Sequence, residues 1–554
     1  MYGGALHRVE VRETRNHAHH VTALNRGASY RHNSRNCAGA LAGVTYLLAR
    51  QAGPGQKGES MRGIRDSLLV VIAAIMFSLV IDAGRSVAQA GSLCEAASYG
   101  VSTSAADNGA ALTNALQACG GRTLHVGAGT YQFSPGQFSR GFTVPPATSI
   151  IGDGAAITKL LIAGPGNYDS FFWILDASNV SIRALTLQGN GVAYQPGSCV
   201  NDYGRAISIY SSAGAAAPIT NISIASNLLQ NFTGSGWISI YAAPGSPGIG
   251  TIPAGANISI EGNFFQSEPG DAAAPGNPNC NSSAVQIFGG DTVPNVLNVT
   301  VSANGMDASY LKQGVIVYGS ASQVTIAANS ISATGQKLPA NKDSSLYAVI
   351  IYQKQLPPNT ISVIGNTIPD PFSCGVYVVA GRNITINGNR ISGQTDTNDG
   401  TEPKGAICLN HVDNGGDGEP ATILGNTITG SYVGISIAAG SVPNVRQNSI
   451  SQILPGGFGI KIAGDPSGVS LIDNSVSTQG TNVSGLLGIG TAPSLSVVDL
   501  FLTGTTYPAR WYRDPSGALP LCNFTDVGSF RGVFQRSVEG QSFTTQSRFS
   551  LGCK

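Results

Sequence analysis

Short runs of alternating apolar and polar residues recur along this chain, and each closes on an asparagine. They read NISIASN (ending at Asn227), NISIEGN (Asn263), NVTVSAN (Asn304), QVTIAAN (Asn329), TISVIGN (Asn366), NITINGN (Asn389), ATILGN (Asn426), NVRQN (Asn448) and VSLIDN (Asn474). In NITINGN, Ile384 and Ile386 point one way and Thr385 and Asn387 the other, as a period of two demands. A second apolar strand follows each unit and usually opens on glycine, as in Gly314–Tyr318, Gly375–Val379, Gly434–Ile437 and Gly459–Ile462. A unit that recurs every few tens of residues with the same order of parts predicts a solenoid, one coil per repeat. Successive coils then stack about 4.8 Å apart. The asparagines fall in register and predict a ladder, each amide donating to one neighbouring coil and accepting from the other.

The segment before the first repeat adds a cap. Asp107 to Cys119 predicts a short helix with Ala111, Leu112, Ala115 and Leu116 on one face. After it come Gly120-Gly-Arg-Thr-Leu-His-Val-Gly-Ala-Gly-Thr-Tyr131 and Thr148-Ser-Ile-Ile-Gly-Asp-Gly154. A helix, a GGxTLxVxAGTY strand and an IxGxG turn, followed by the Asn-marked coils, resemble the pectate lyase-like right-handed parallel β-helix superfamily. The resemblance covers roughly residues 95–490. It implies an all-β right-handed parallel β-helix with an N-terminal capping helix and a small C-terminal β cap. It implies little about reaction, because this scaffold hosts lyases, hydrolases, epimerases and binding proteins.

Composition changes the picture at the N-terminus. Charged residues make up 11% of the 554-residue chain, against about 25% in a typical soluble domain. Residues 1–60 show no hydrophobic period and are expected to be an unstructured leader that precedes the true start of translation at Met61. Residues 61–90 read as a signal peptide: Met61-Arg-Gly-Ile-Arg is the basic start, Leu68–Ile81 the apolar run, and Ala88-Gln-Ala90 the cleavage site. The run is short for a membrane span, which needs about 20 residues. A secreted or periplasmic mature chain from near Gly91 follows, with residues 91–494 as the β-helix and 495–554 as a C-terminal cap. The mature chain is mildly acidic, which argues against nucleic acid as a partner. A monomer without stable membrane insertion is expected. Without Cys37, eight cysteines remain, and their order suggests disulfides Cys94–Cys119, Cys199–Cys280, Cys374–Cys408 and Cys522–Cys553.

Candidate chemistry lies on the Gly-initiated strands, along which substrate lies in the resembled superfamily. The outward residue closing each strand is Tyr210, Tyr241, Phe288, Tyr318 and Tyr352 on five consecutive coils, followed by Val379, Asn410 and Ala438. That predicts an aromatic stripe about 20 Å long, and aromatic rings suit sugar binding. Charge is scarce, so its placement counts. Asp202, Arg205, Lys312, Lys342, Asp343, Glu402 and Lys404 precede these strands; Asp291, Lys354, Arg382, His411 and Asp413 follow them. His125, inside the opening strand, is read as structural.

Two chemistries fit. A hydrolase needs two carboxylates, about 5–5.5 Å apart for retention or about 6.5–9.5 Å for inversion, and Asp343, Glu402 and Asp413 are candidates. A lyase or epimerase acting on a uronic acid needs a base and positive charge to steady an enolate. Lys312, Lys354, Arg382, Lys404 and His411 can serve. The catalytic set is therefore Asp343, Glu402, His411, Asp413, Lys312 and Lys354; the substrate-binding set is the five rings with Arg382 and Lys404. The paired-aspartate motifs of polygalacturonases are absent, Asn201-Asp-Tyr-Gly204 being a faint echo, and no calcium-binding aspartate cluster of the pectate lyase kind is visible. No cofactor is indicated, and calcium stays open because carbonyl and carboxylate oxygens abound. The expected function is a secreted polysaccharide-degrading lyase or hydrolase. A non-catalytic glycan-binding or adhesin-like role and a uronan epimerase are the alternatives.

Overall fold

The structure, a computed structural model, describes most of residues 93–503 and strands as far as residue 545. The segments outside the described residues include 1–92, 192–203, 251–256, 268–281, 291–294, 338–345, 397–403 and 411–420. Three long sheets, all parallel, carry the chain. The first has fifteen strands and the second and third thirteen each, and every coil contributes to the three in turn, so each strand's neighbours lie one coil away. This is the right-handed parallel β-helix that the Asn-marked pattern predicts.

The first sheet holds the Asn-terminated strands, such as Ile222–Ala225, Ile258–Glu261 and Arg382–Asn387. Their apolar positions (Ile224, Ile260, Val301, Ile326, Val363, Ile386) are buried and stack in register. Its outward column is hydroxylic coil after coil: Ser181, Ser223, Ser259, Thr300, Thr325, Ser362 and Thr385. Each strand ends at a residue in the left-handed region (Ser226, Gly262, Ala303, Ala328, Gly365, Gly388, Gly425, Gln447, Asp473), and the asparagine comes next. That bend sends the chain straight into the three-residue strands of the third sheet, for example Leu228–Gln230 and Thr367–Pro369.

The nine asparagines form the ladder. Each of the first eight donates its side-chain amide to the next one's Oδ1 at 2.9–3.1 Å. All nine also donate to a carbonyl of the preceding coil at 2.8–3.0 Å, such as Asn366 to Ile326. The same Oδ1 accepts the backbone N–H of the asparagine one coil earlier. The bend would otherwise bury unpaired backbone groups, which costs about 1–3 kcal/mol apiece.

The second sheet contains the Gly-initiated strands, including Gln313–Tyr318, Tyr347–Tyr352, Cys374–Val378, Gly405–Leu409 and Val433–Ile437. Their small second residues turn inward at the corner with the third sheet. A Cβ on Gly314 would lie 2.5 Å from Ile331 Cγ2, and one on Gly459 2.4 Å from Val476 Cγ1. The recurring glycine is thus a matter of space.

The solenoid is capped at its start by the helix Gly109–Ala118, which buries Leu112, Ala115 and Leu116 on the first coils. The disulfide Cys94–Cys119 ties its end to the first strand. At the other end the solenoid runs past residue 494: Leu495–Val498, Phe501–Thr503 and Tyr507–Tyr512 extend the three sheets by a further coil. An antiparallel hairpin, Phe534–Val538 with Gln541–Thr545, follows. No helix among the described residues is long and apolar enough to cross a membrane.

Candidate functional site

The outer face of the second sheet differs from that of the first. Down its middle the outward column changes from Ser208, Ser239 and Gln286 to Ile316, Ile350, Tyr377 and Cys408. These last four, with Tyr347 and Cys374, form a second buried apolar cluster outside the solenoid core. The disulfide Cys374–Cys408 lies within it and links neighbouring coils. The second sheet is therefore packed on both faces in its central coils, and its trailing row stays partly or well exposed from Tyr210 to Tyr352.

The aromatic stripe runs along that edge. Tyr210, Tyr241, Phe288, Tyr318 and Tyr352 are direct neighbours in register. Their ring centroids are 5.3, 4.8, 4.8 and 5.3 Å apart, with interplanar angles of 11°, 24°, 33° and 22°. Rings so close and so nearly parallel cover one another's faces, so the stripe presents edges and hydroxyls outward. Trp173 closes the first end, its ring set at 68° to that of Tyr210 and 5.9 Å away. Beside it Asp176 accepts from the backbone N–H and the hydroxyl of Ser212 at 2.7 and 2.6 Å. Tyr352, at the far end, is 40% exposed, and Val379, Asn410 and Ala438 continue its row without a ring.

The charged candidates are not gathered at this edge. Lys312 and Lys404 occur at the leading edge, each six residues before the trailing row, or about 20 Å along an extended strand. Both are 6% exposed. Lys404 pairs with the buried Asp396, Nζ to Oδ2 3.0 Å, and donates to Ser373 Oγ at 3.4 Å, while that hydroxyl donates to the same carboxylate oxygen at 3.3 Å. Arg205, also at the leading edge, faces Asp169 at 3.4 Å. Lys404, assigned to substrate from sequence, is thus turned inward onto a buried carboxylate. Arg382 is half-buried and opens a strand of the first sheet three residues beyond Val379, near the open end of the stripe. Asp343, Lys354, Glu402, His411 and Asp413 lie outside the described residues, as do Cys199, Cys280, Cys522 and Cys553. Among the described residues no group of three or more His, Cys, Asp or Glu side chains is placed to hold a metal ion.

Three participants were not singled out by sequence. Asp396 carries no local signal, because its partner Lys404 stands eight residues further along the chain. Trp173 stands two residues before the end of its strand and meets the stripe from a neighbouring row. Asp176 follows that strand directly, where a carboxylate reads as an ordinary turn residue.

His125 sits in Thr123–Val126, the second strand of the first sheet, away from the stripe. Its Nδ1 is 2.7 Å from Glu95 and its Nε2 2.8 Å from Asp153. The hydrogen bond to Glu95 above all, with that to Asp153, raises its pKa against the opposing effect of burial. Asp153, held by His125 and by the Ala128 N–H, is lowered.

No family model and no curated protein matches the chain. Solved structures do. The N-terminal fragment of bacteriophage phi29 gene product 12 aligns at 16% identity and a TM-score of 0.48, covering 78% of this chain and 74% of that one. The A-module of the Azotobacter vinelandii mannuronan C-5 epimerase AlgE6 aligns at 14% identity and 0.44, covering 74% and 98%. The catalytic unit of a GH87 α-1,3-glucanase from Streptomyces thermodiastaticus aligns at 13% identity and 0.41, covering 79% and 69%. The likeness is one of fold.

Proposed function

We propose that the protein is a secreted, polysaccharide-active β-helix whose polymer lies along the trailing edge of the second sheet. The observation that carries this reading is the row of five aromatic side chains on consecutive coils, all partly or well exposed at the trailing edge of a sheet whose central outer face is covered. A purely structural stack would serve equally well inside the solenoid, where Phe232, Trp237 and Phe265 already pack. Rings with phenolic hydroxyls at a surface offer apolar area and a polar handle together. The reading takes residues 61–90 as the export signal and Asp343, Glu402, His411, Asp413 and Lys354 as the groups from which catalysis would be drawn. The buried positions of Lys312 and Lys404 favour an anchoring role for both.

The test is a panel of neutral and uronic polysaccharides incubated with the purified protein, with and without calcium. Absorbance near about 235 nm would mark an unsaturated lyase product formed by proton abstraction. New reducing ends without that absorbance mark hydrolysis, and a changed uronate composition without cleavage marks epimerisation. Retention of a polymer with no product marks a binding protein. No retention and no product on any polymer refutes the reading.

A further inference from the structure

We infer that the open end of the aromatic stack is a sugar-stacking position: one pyranose ring of a polysaccharide lies face-on against Tyr352, over a floor of Val379, Asn410 and Ala438. This rests on the polysaccharide reading above and sharpens it. Within the stripe no ring offers a face, because centroid separations of 4.8–5.3 Å leave no room between neighbours. At the Trp173 end the outer face of Tyr210 is met by a ring set edge-on. Tyr352 alone of the five is followed by a non-aromatic rung. Backbone bonds from Val379 N–H to Ile351, Asn410 N–H to Val378 and Ala438 N–H to Leu409 keep the row in step. The outline therefore drops from a phenol ring to a valine, an asparagine and an alanine, leaving a notch walled on one side by the Tyr352 face. Its exposure of 40%, while the other four rings are only partly exposed, agrees with a face left open.

The chemistry of the notch suits a six-membered sugar. The C–H face of a pyranose matches a phenol ring in extent and gains dispersion and burial against it. Sugar hydroxyls need polar partners beside the stacking plane. Asn410 spends one amide donor on Tyr377 Oη at 3.4 Å and has further hydrogen-bonding positions. Arg382 stands three residues beyond Val379. Both neutral and uronic polymers contain such a ring, so the two sources are separated by the probe.

The experiment is affinity electrophoresis of the purified protein in gels containing pullulan, a neutral glucan, or polygalacturonate, extended to the rest of the panel. Tyr352→Leu keeps the Tyr318 face covered but removes the flat wall, and should weaken retention about five- to tenfold, the factor expected for one aromatic contact. Tyr352→Phe should retain the polymer, Phe288→Leu should weaken it less than Tyr352→Leu, and Thr385→Ala, on the hydroxylic column of the first sheet, should change nothing. If Tyr352→Leu migrates like the parent protein, or if Phe288→Leu loses as much, the notch is wrong and the whole stripe acts as the platform. If Phe288→Leu does not fold, the two Tyr352 variants decide alone. A parent protein retarded by no polymer sinks the polysaccharide reading and the notch with it, whereas retention indifferent to Tyr352→Leu sinks the notch only.

Discussion

At the residue scale the asparagine ladder decides most. Each rung is buried and serves several partners at once. Asn366 accepts from the backbone and side-chain amides of Asn329 and donates to Ile326 O and Asn389 Oδ1. Asn366→Ala takes the acceptor from two buried donors of Asn329, so the expected loss is about 2–6 kcal/mol, at about 1–3 kcal/mol for each. Thr385→Ala, on the outer surface, should stay within about 0.5 kcal/mol. Thermal unfolding of the two variants compares them directly, and similar Tm values would show that the ladder contributes little. The ladder was legible in sequence because its residue type, register and preceding bend all repeat. The partnership of Lys404 with Asp396 was not, since a charge beside a strand looks the same whether it meets water or a buried carboxylate.

At the scale of elements, the first strand, Leu93–Glu95, is held by one disulfide and one imidazole. Both nitrogens of His125 face carboxylates, Glu95 and Asp153, so the protonated ring is the form that donates to both. Its raised pKa means its contribution is complete below the ordinary value of about 6.5 and is lost as pH rises through the raised value. The lowered Asp153 works in the opposite direction: its contribution is present above its ordinary value of 3.8 and is lost as pH falls through the lowered one. The difference in Tm between the parent protein and His125→Gln should therefore be greatest at about pH 4–6.5 and shrink toward alkaline pH. A difference independent of pH would contradict the bridge. The helix Gly109–Ala118 that follows this strand was readable from its apolar spacing. The orientation of the stripe's rings was not, because strand register places aromatic residues side by side without saying whether they show faces or edges.

At the scale of the molecule, the second and third sheets each place twelve strands before residue 490, as a repeat of a few tens of residues over residues 95–490 leads one to expect, and a thirteenth beyond it. That thirteenth coil spans Leu495–Tyr512, and no asparagine stands between Val498 and Phe501 to mark it in the sequence. The cysteine pairing is likewise read in part from order along the chain: Cys94–Cys119 and Cys374–Cys408 are present, each within or between neighbouring coils. Once residues 1–90 are removed, thiol titration of the denatured, unreduced protein should detect no free cysteine, and two or more would contradict both the remaining pairs and export.

The ladder has a further consequence for how such a chain finds its own order. An asparagine paired with the one two coils away makes the same bonds as with its true neighbour, so the motif that holds the solenoid together cannot distinguish a correct stack from one that has skipped a turn. That ambiguity grows with the number of alike repeats. What removes it must differ from coil to coil: five rings stacked on five successive coils, and a cystine that joins only Cys374 to Cys408. These act as addresses along an otherwise uniform track, so that the features that make the surface distinctive also tell the chain where each turn belongs.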